Sequence, residues 1–98
     1  MKYYCALSVD SNNTFRVIFP DLPNIFTYGN NPGHALEMAE DALNLAMESM
    51  IELDEFIPDA VDRSEEGMHA VPVQKDIAKK VLIYKMAALQ KELEALEA

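Results

Sequence analysis

Leu36, Ala39, Leu43, Ala46, Met50 and Leu53 recur at alternating spacings of three and four, and Ala35, Met38, Ala42 and Leu45 widen the stripe. Apolar residues at that period line one face of a helix. The spacing therefore predicts an amphipathic helix of about six turns. Asn31 suits its N-cap. Pro32 suits its first position, where a missing N–H would be unpaired anyway. A helix with one apolar face must lay that face against another layer. The rest of the chain has to supply it.

The residues before the helix read as strands. Tyr3, Cys5, Leu7 and Val9 alternate with Tyr4, Ala6 and Ser8, a period of two. Asp10, Ser11, Asn12 and Asn13 form a turn, since such side chains bond their own backbone. Residues 14–19 follow as a second strand, which makes a hairpin. Residues 25–28 read as a third strand, and the tight 21–24 connection makes it antiparallel to the second. Phe56, Ile57 and Pro58 end the helix, and residues 59–67 form a polar surface connection. Residues 68–74 form a short strand. Pro72 cannot donate to a ladder, which assigns this strand to a sheet edge. A second helix starts at Asp76, capped by Asp76 itself. The order is β-β-β-α-β-α, an α+β fold. It consists of an antiparallel three-strand meander, an edge strand parallel to the first strand through a right-handed crossover, and the long helix on one face.

Ninety-eight residues make one small domain, half of it apolar. The net charge is −9 and unevenly placed: residues 1–66 hold 13 acids and 3 bases, residues 67–98 hold 4 acids and 5 bases. An acidic body of this kind repels nucleic acid and attracts basic partners. The outer face of the first helix carries Glu37, Asp41, Glu48, Glu52 and Glu55, with Asn44 between. This ridge is either a partner surface or a solvated helix face. The lone Cys5 lies in a strand as a small buried hydrophobe, in keeping with a reducing, cytoplasmic setting. Neither a signal-peptide pattern nor an apolar run of membrane-spanning length is visible.

Chemistry-bearing arrangements are weak. Asp10, Asp21 and Glu37 invite comparison with carboxylates that hold two metal ions, but two sit in turns and the third on a helix face. His34 and His69 have no metal-ligand spacing, and the three glycines form no phosphate loop. No catalytic residue, metal or cofactor is expected.

One ordered set of residues does point further. Phe19, Pro20, Asp21, Leu22 and Pro23 form an FPDLP turn, followed by a short strand, Gly29, an N-cap and an A-L-x-x-A-x-x-A-L helix. The set resembles the HicB family of antitoxins. Asn24 and Asn31 replace the family's usual glycine and threonine, and Gly33 and His34 stand where acids are common. Ala35-Leu36, Ala39, Ala42-Leu43, Phe56-Ile57-Pro58 and Val71-Pro72-Val73 match, with a weaker match over residues 80–84. The resemblance implies a partial ribonuclease-H-like domain over residues 1–74. Such a domain binds and occludes a small basic RNA-cleaving toxin of the HicA type. The acidic residues Glu37, Asp41, Glu48, Glu52 and Glu55 then become candidates for the toxin interface. Family members usually add a C-terminal DNA-binding module that represses their own operon. Here residues 75–98 form an amphipathic helix, with that module absent or truncated. An autoregulator of transcription is the alternative function, and a metal-dependent nuclease a more remote one. Lys75, Lys79, Lys80 and Lys85 fall where a full-length member approaches DNA.

In that last helix Leu82, Met86, Leu89, Leu93 and Leu96 repeat at four, three, four and three, a coiled-coil-like seam. The seam either packs on the chain's own sheet or joins a homodimer or higher oligomer.

Overall fold

The computed structural model describes residues 1–64 and 67–97. Two residues of the predicted 59–67 connection, and Ala98, lie outside them. The elements run β1 Lys2–Val9, β2 Phe15–Ile18, β3 Thr27–Gly29, α1 Pro32–Glu52, β4 His69–Pro72 and α2 Lys75–Glu97. One sheet of order β3-β2-β1-β4 carries α1 on a single face.

The hairpins follow the local chemistry. Asp10 closes the β1–β2 turn: its carboxylate accepts the N–H of Asn12 at 2.9 Å, the N–H of Thr14 at 3.2 Å and the Thr14 hydroxyl. Between β2 and β3 the FPDLP segment makes two successive turns, Leu22 N–H to the Phe19 carbonyl and Ile25 N–H to the Leu22 carbonyl, both 3.1 Å. Phe19, Leu22 and Ile25 therefore dip into the core, while Pro20 and Pro23 stay exposed.

Helix α1 begins as predicted. Asn31 accepts the His34 N–H at 2.8 Å, and His34 Nδ1 accepts the Asn30 N–H at 3.0 Å. This reciprocal pair is akin to a capping box. The helix stops earlier than Phe56-Ile57-Pro58 suggested. Glu55 N–H bonds the Met50 carbonyl and Asp54 N–H the Ile51 carbonyl, a Schellman ending with Asp54 at φ 53. The buried stripe is also rotated from the predicted one. Ala35, Ala39, Leu43, Met47 and Met50 face the sheet, whereas Leu45 and Leu53 are solvent-exposed. Asn44, expected on the outer face, is buried. Its amide donates to the carbonyls of Glu40 and Pro72, and its oxygen accepts the Gln74 N–H at 2.7 Å.

The edge strand runs antiparallel to β1, with Tyr3 opposite Val71 and Cys5 opposite His69. The parallel arrangement is thus corrected, and the connection explains why. The second half of α1 already lies beside the start of β1, since Asn44 touches Pro72, the residue paired with Lys2. A parallel β4 would begin there at once. Instead the connection is carried away. Tyr3 donates its hydroxyl to the Pro58 carbonyl, and Arg63 pairs with Asp21. The chain then enters β4 beside Cys5 and runs back until Val73 N–H meets the Met1 carbonyl.

Helix α2 starts at Lys75, one residue before the predicted cap, with Ala78 N–H on the Gln74 carbonyl. Asp76 sits in its first turn. Ile77 and Val81 complete the core, so the predicted division at residue 75 falls inside one packed body. Lys80 bridges Glu48 at 3.5 Å and Lys85 bridges Asp59. No helix among the described residues is long and apolar enough to cross a membrane.

Gly29 is where α1 touches the sheet most closely. A Cβ there would lie 2.3 Å from the Ala35 nitrogen and 2.6 Å from its Cα, both backbone atoms. Gly29→Ala is therefore expected to destabilise the domain by about 3 kcal/mol or more. Urea unfolding would measure it, and a loss under about 1 kcal/mol would contradict the close approach.

Candidate partner-binding surface

The first helix presents its outer face because its inner stripe is fully used. Glu37, Asp41 and Glu52 are exposed along that outer line, and Glu48 is half-buried against Lys80. Glu55 is off the line: it lies beyond the helix end, with its backbone N–H on Met50 and its carbonyl 2.7 Å from the Tyr84 hydroxyl. The ridge therefore brings together four of the five predicted acids. At its centre stands Leu45, 71% exposed, between Asp41 and Glu48. Past the helix end Leu53 and Phe56 are also exposed, Phe56 at 85%. Charge around isolated apolar contacts is the usual make-up of a protein interface.

A second exposed group lies on the sheet face away from α1. Arg16 pairs across the strands with Tyr28 and stands over the Phe26 ring at 5.7 Å. Phe26 is 76% exposed and Tyr28 65% exposed. The i, i+2 spacing of Phe26 and Tyr28 in the strand-like run was the available signal that they share a face.

The FPDLP turn has a part that its turn chemistry does not reveal. Asp21 faces Arg63, with Oδ1 2.9 Å from one terminal guanidinium nitrogen and Oδ2 3.5 Å from Nε. Asp21 thus anchors the connection that leads into β4, and the hydrogen bond from Arg63 holds its carboxyl below the usual range. Asp10 is likewise held low, by the Thr14 hydroxyl first.

These carboxylates do not converge. Asp10 and Asp21 lie at opposite ends of β2, and Glu37 lies on α1. Among the described residues no three His, Cys, Asp or Glu side chains gather to hold a metal. Cys5 is buried in the core, and burial pushes its thiol up to about 11, which leaves it a poor nucleophile at neutral pH.

The seam residues Leu82, Met86, Leu89, Leu93 and Leu96 are all 48–85% exposed. They do not pack on the chain's own sheet. At about 100° per residue their line lies roughly 120° around α2 from the buried Ile77 and Val81.

Over residues 3–96 the chain matches the family described as the HicB_like antitoxin of bacterial toxin–antitoxin systems. It is 37% identical over 83 residues to antitoxin HicB 1 of Photorhabdus laumondii, covering 85% of this chain and 52% of that protein. It is 32% identical over 93 residues to antitoxin HicB of Escherichia coli K12, covering 95% of this chain and 66% of that protein. The chain thus spans between about half and two thirds of these relatives' length. Its fold is similar to the crystal structure of the N-terminal domain of Burkholderia pseudomallei antitoxin HicB. That likeness has a TM-score of 0.63 at 24% identity, over 76% of this chain and 99% of that one. A second crystal structure, of Burkholderia pseudomallei antitoxin HicB, superposes over 99% of this chain and 97% of that one, with a TM-score of 0.64 at 18% identity.

The Asp21–Arg63 pair predicts a pH-dependent stability. A carboxyl depressed in the folded state contributes stability above its unfolded pKa and loses it as pH falls through the folded value. The pair is partly exposed, at 12% for the Asp21 side chain and 25% for Arg63, so solvent screening discounts it. Asp21→Asn is expected to lose about 1 kcal/mol at neutral pH. The gap to the parent should close below about pH 4, as the parent's carboxyl protonates. Chemical denaturation across that range measures it, and a gap that stays constant would exclude the ion pair as its source.

Proposed function

The chain belongs to the HicB-like antitoxins of bacterial toxin–antitoxin systems, and we propose that it neutralises a small basic RNA-cleaving toxin of the HicA type. The outer face of α1 covers the toxin's active surface. A protein that cleaves RNA must hold phosphates and so carries positive charge where RNA binds. The observation that carries this reading is the ridge Glu37, Asp41, Glu48 and Glu52 around the exposed Leu45. The acids steer and orient a basic partner, and Leu45, Leu53 and Phe56 supply the apolar contacts that hold it. The antitoxin then acts by occlusion, without chemistry of its own. Toxin binding is assigned to residues 1–74. The meander and α1 serve as a partial ribonuclease-H-like scaffold, although its edge strand runs opposite to the expected direction.

No observation favours the DNA-binding reading for this chain. Lys80 and Lys85 are engaged by Glu48 and Asp59, and α2 has no second recognition helix beside it among the described residues. The nuclease reading fares no better, with Asp10 and Asp21 occupied in a turn and an ion pair at opposite ends of β2.

Copurification with the basic protein of the neighbouring reading frame, and rescue of growth on coexpression, test the pairing itself. The surface is tested by the triple change Glu37→Lys, Asp41→Lys and Glu52→Lys. Association with the toxin is expected to slow at least about tenfold at low salt and to lose most of its salt dependence. An unchanged association rate in a folded triple variant would remove the ridge from the interface.

A further inference from the structure

We propose that the docked half of α2 shapes the partner surface by gripping residues 53–59, so that Tyr84 and Lys85 are positioning residues for the exposed Phe56. This inference rests on the reading of Phe56 as a partner contact and deepens it. After α1 ends at Glu52 the chain turns back on itself. The Leu53 N–H meets the Ser49 carbonyl at 3.0 Å, and the Glu55 N–H meets the Met50 carbonyl at 2.8 Å. Asp54 between them holds φ 53, a left-handed conformation that few side chains other than Asn and Asp accept. Residues 53–59 belong to no helix or strand. Their place is set by contacts from the rest of the fold.

Helix α2 supplies two of these contacts from adjacent residues. The Tyr84 hydroxyl lies 2.9 Å from Asp54 Oδ1 and 2.7 Å from the Glu55 carbonyl oxygen, with one proton to give between them. Lys85 bridges to Asp59. Val81 and Ile77, one and two turns earlier, fix both grips to the core. Between the grips Ile57 is buried and Tyr3 donates to the Pro58 carbonyl, while Phe56 is left 85% exposed. Residues 52–59 carry four acids and no base. An aromatic ring in that setting fits an apolar pocket rimmed by Lys or Arg on a basic partner. A ring on a mobile segment would lose conformational freedom on binding, and a ring held in advance does not. The partner surface therefore depends on α2 and extends beyond residues 1–74.

Tyr84→Phe removes the hydroxyl and keeps the ring. Amide hydrogen exchange, measured on the chain alone, is expected to speed about three- to tenfold at Asp54 and Glu55 and to stay unchanged at Ala39 and Leu43. Binding to the basic protein of the neighbouring reading frame is expected to weaken by a similar factor, mainly through faster dissociation. Phe56→Ala is expected to weaken it at least about tenfold. Tyr84→Phe added to Phe56→Ala is expected to change nothing more, because the hydroxyl acts through the ring. Unchanged exchange in Tyr84→Phe overturns the grip. Losses that simply add in the double variant overturn the positioning role. Undiminished binding by Phe56→Ala overturns the functional reading on which the inference rests, whatever the exchange shows.

Discussion

The first turn of α1 lies directly on Gly29 with no side chain between them. The rest of the core depends on that approach. Because the helix starts so close, the small Ala35 and Ala39 line this end of the interface, and Leu43 and Met47 are buried further along it. Ile57, Val73, Ile77 and Val81, which the later segments bring in, complete the same core. A bulkier residue at 29 or 35 would displace the whole helix, because packed interiors do not absorb such changes locally.

The hairpins and the start of α1 are legible in the sequence because each is encoded by neighbours. Asp10 acts on residues two and four ahead, and Asn31 on the residue three ahead. The features that escape such reading join distant residues. Asp21 and Arg63 are 42 positions apart, and Asn44 and Gln74 are 30 apart. Their partnership is a property of the path, not of the spacing. The direction of β4 has the same origin: a period of two assigns a strand and its faces, but says nothing of which end the chain enters. The rotation of the α1 stripe is a smaller case. A helix with apolar residues around much of its girth leaves the docking line to be chosen by the sheet, and Leu45 and Leu53 fell outside that line.

The candidate surface was legible in its charge and not in its anchors. Acids at helical spacing announce an outer face, and four of the five share one. Phe26, Tyr28, Leu45 and Phe56 carry no such mark, because an exposed apolar residue looks like a core residue until the fold says otherwise. The seam of α2 shows the same ambiguity. Its repeat was visible at once, while the side of the helix it occupies became clear only once Ile77 and Val81 were seen to dock.

Asn44 reaches from α1 to the outer rim of β4, where it occupies the Pro72 carbonyl and the Gln74 N–H, and Pro72 itself has no N–H to offer. At the other rim β3 is three residues long. Among the described residues, one border of the sheet is thus partly closed by a side chain and the other is short. In the proposed reading the exposed acids and apolar residues that meet the partner are separate from the buried residues that hold the fold, so a lineage of such chains could exchange one partner for another by surface substitutions while the scaffold stays as it is.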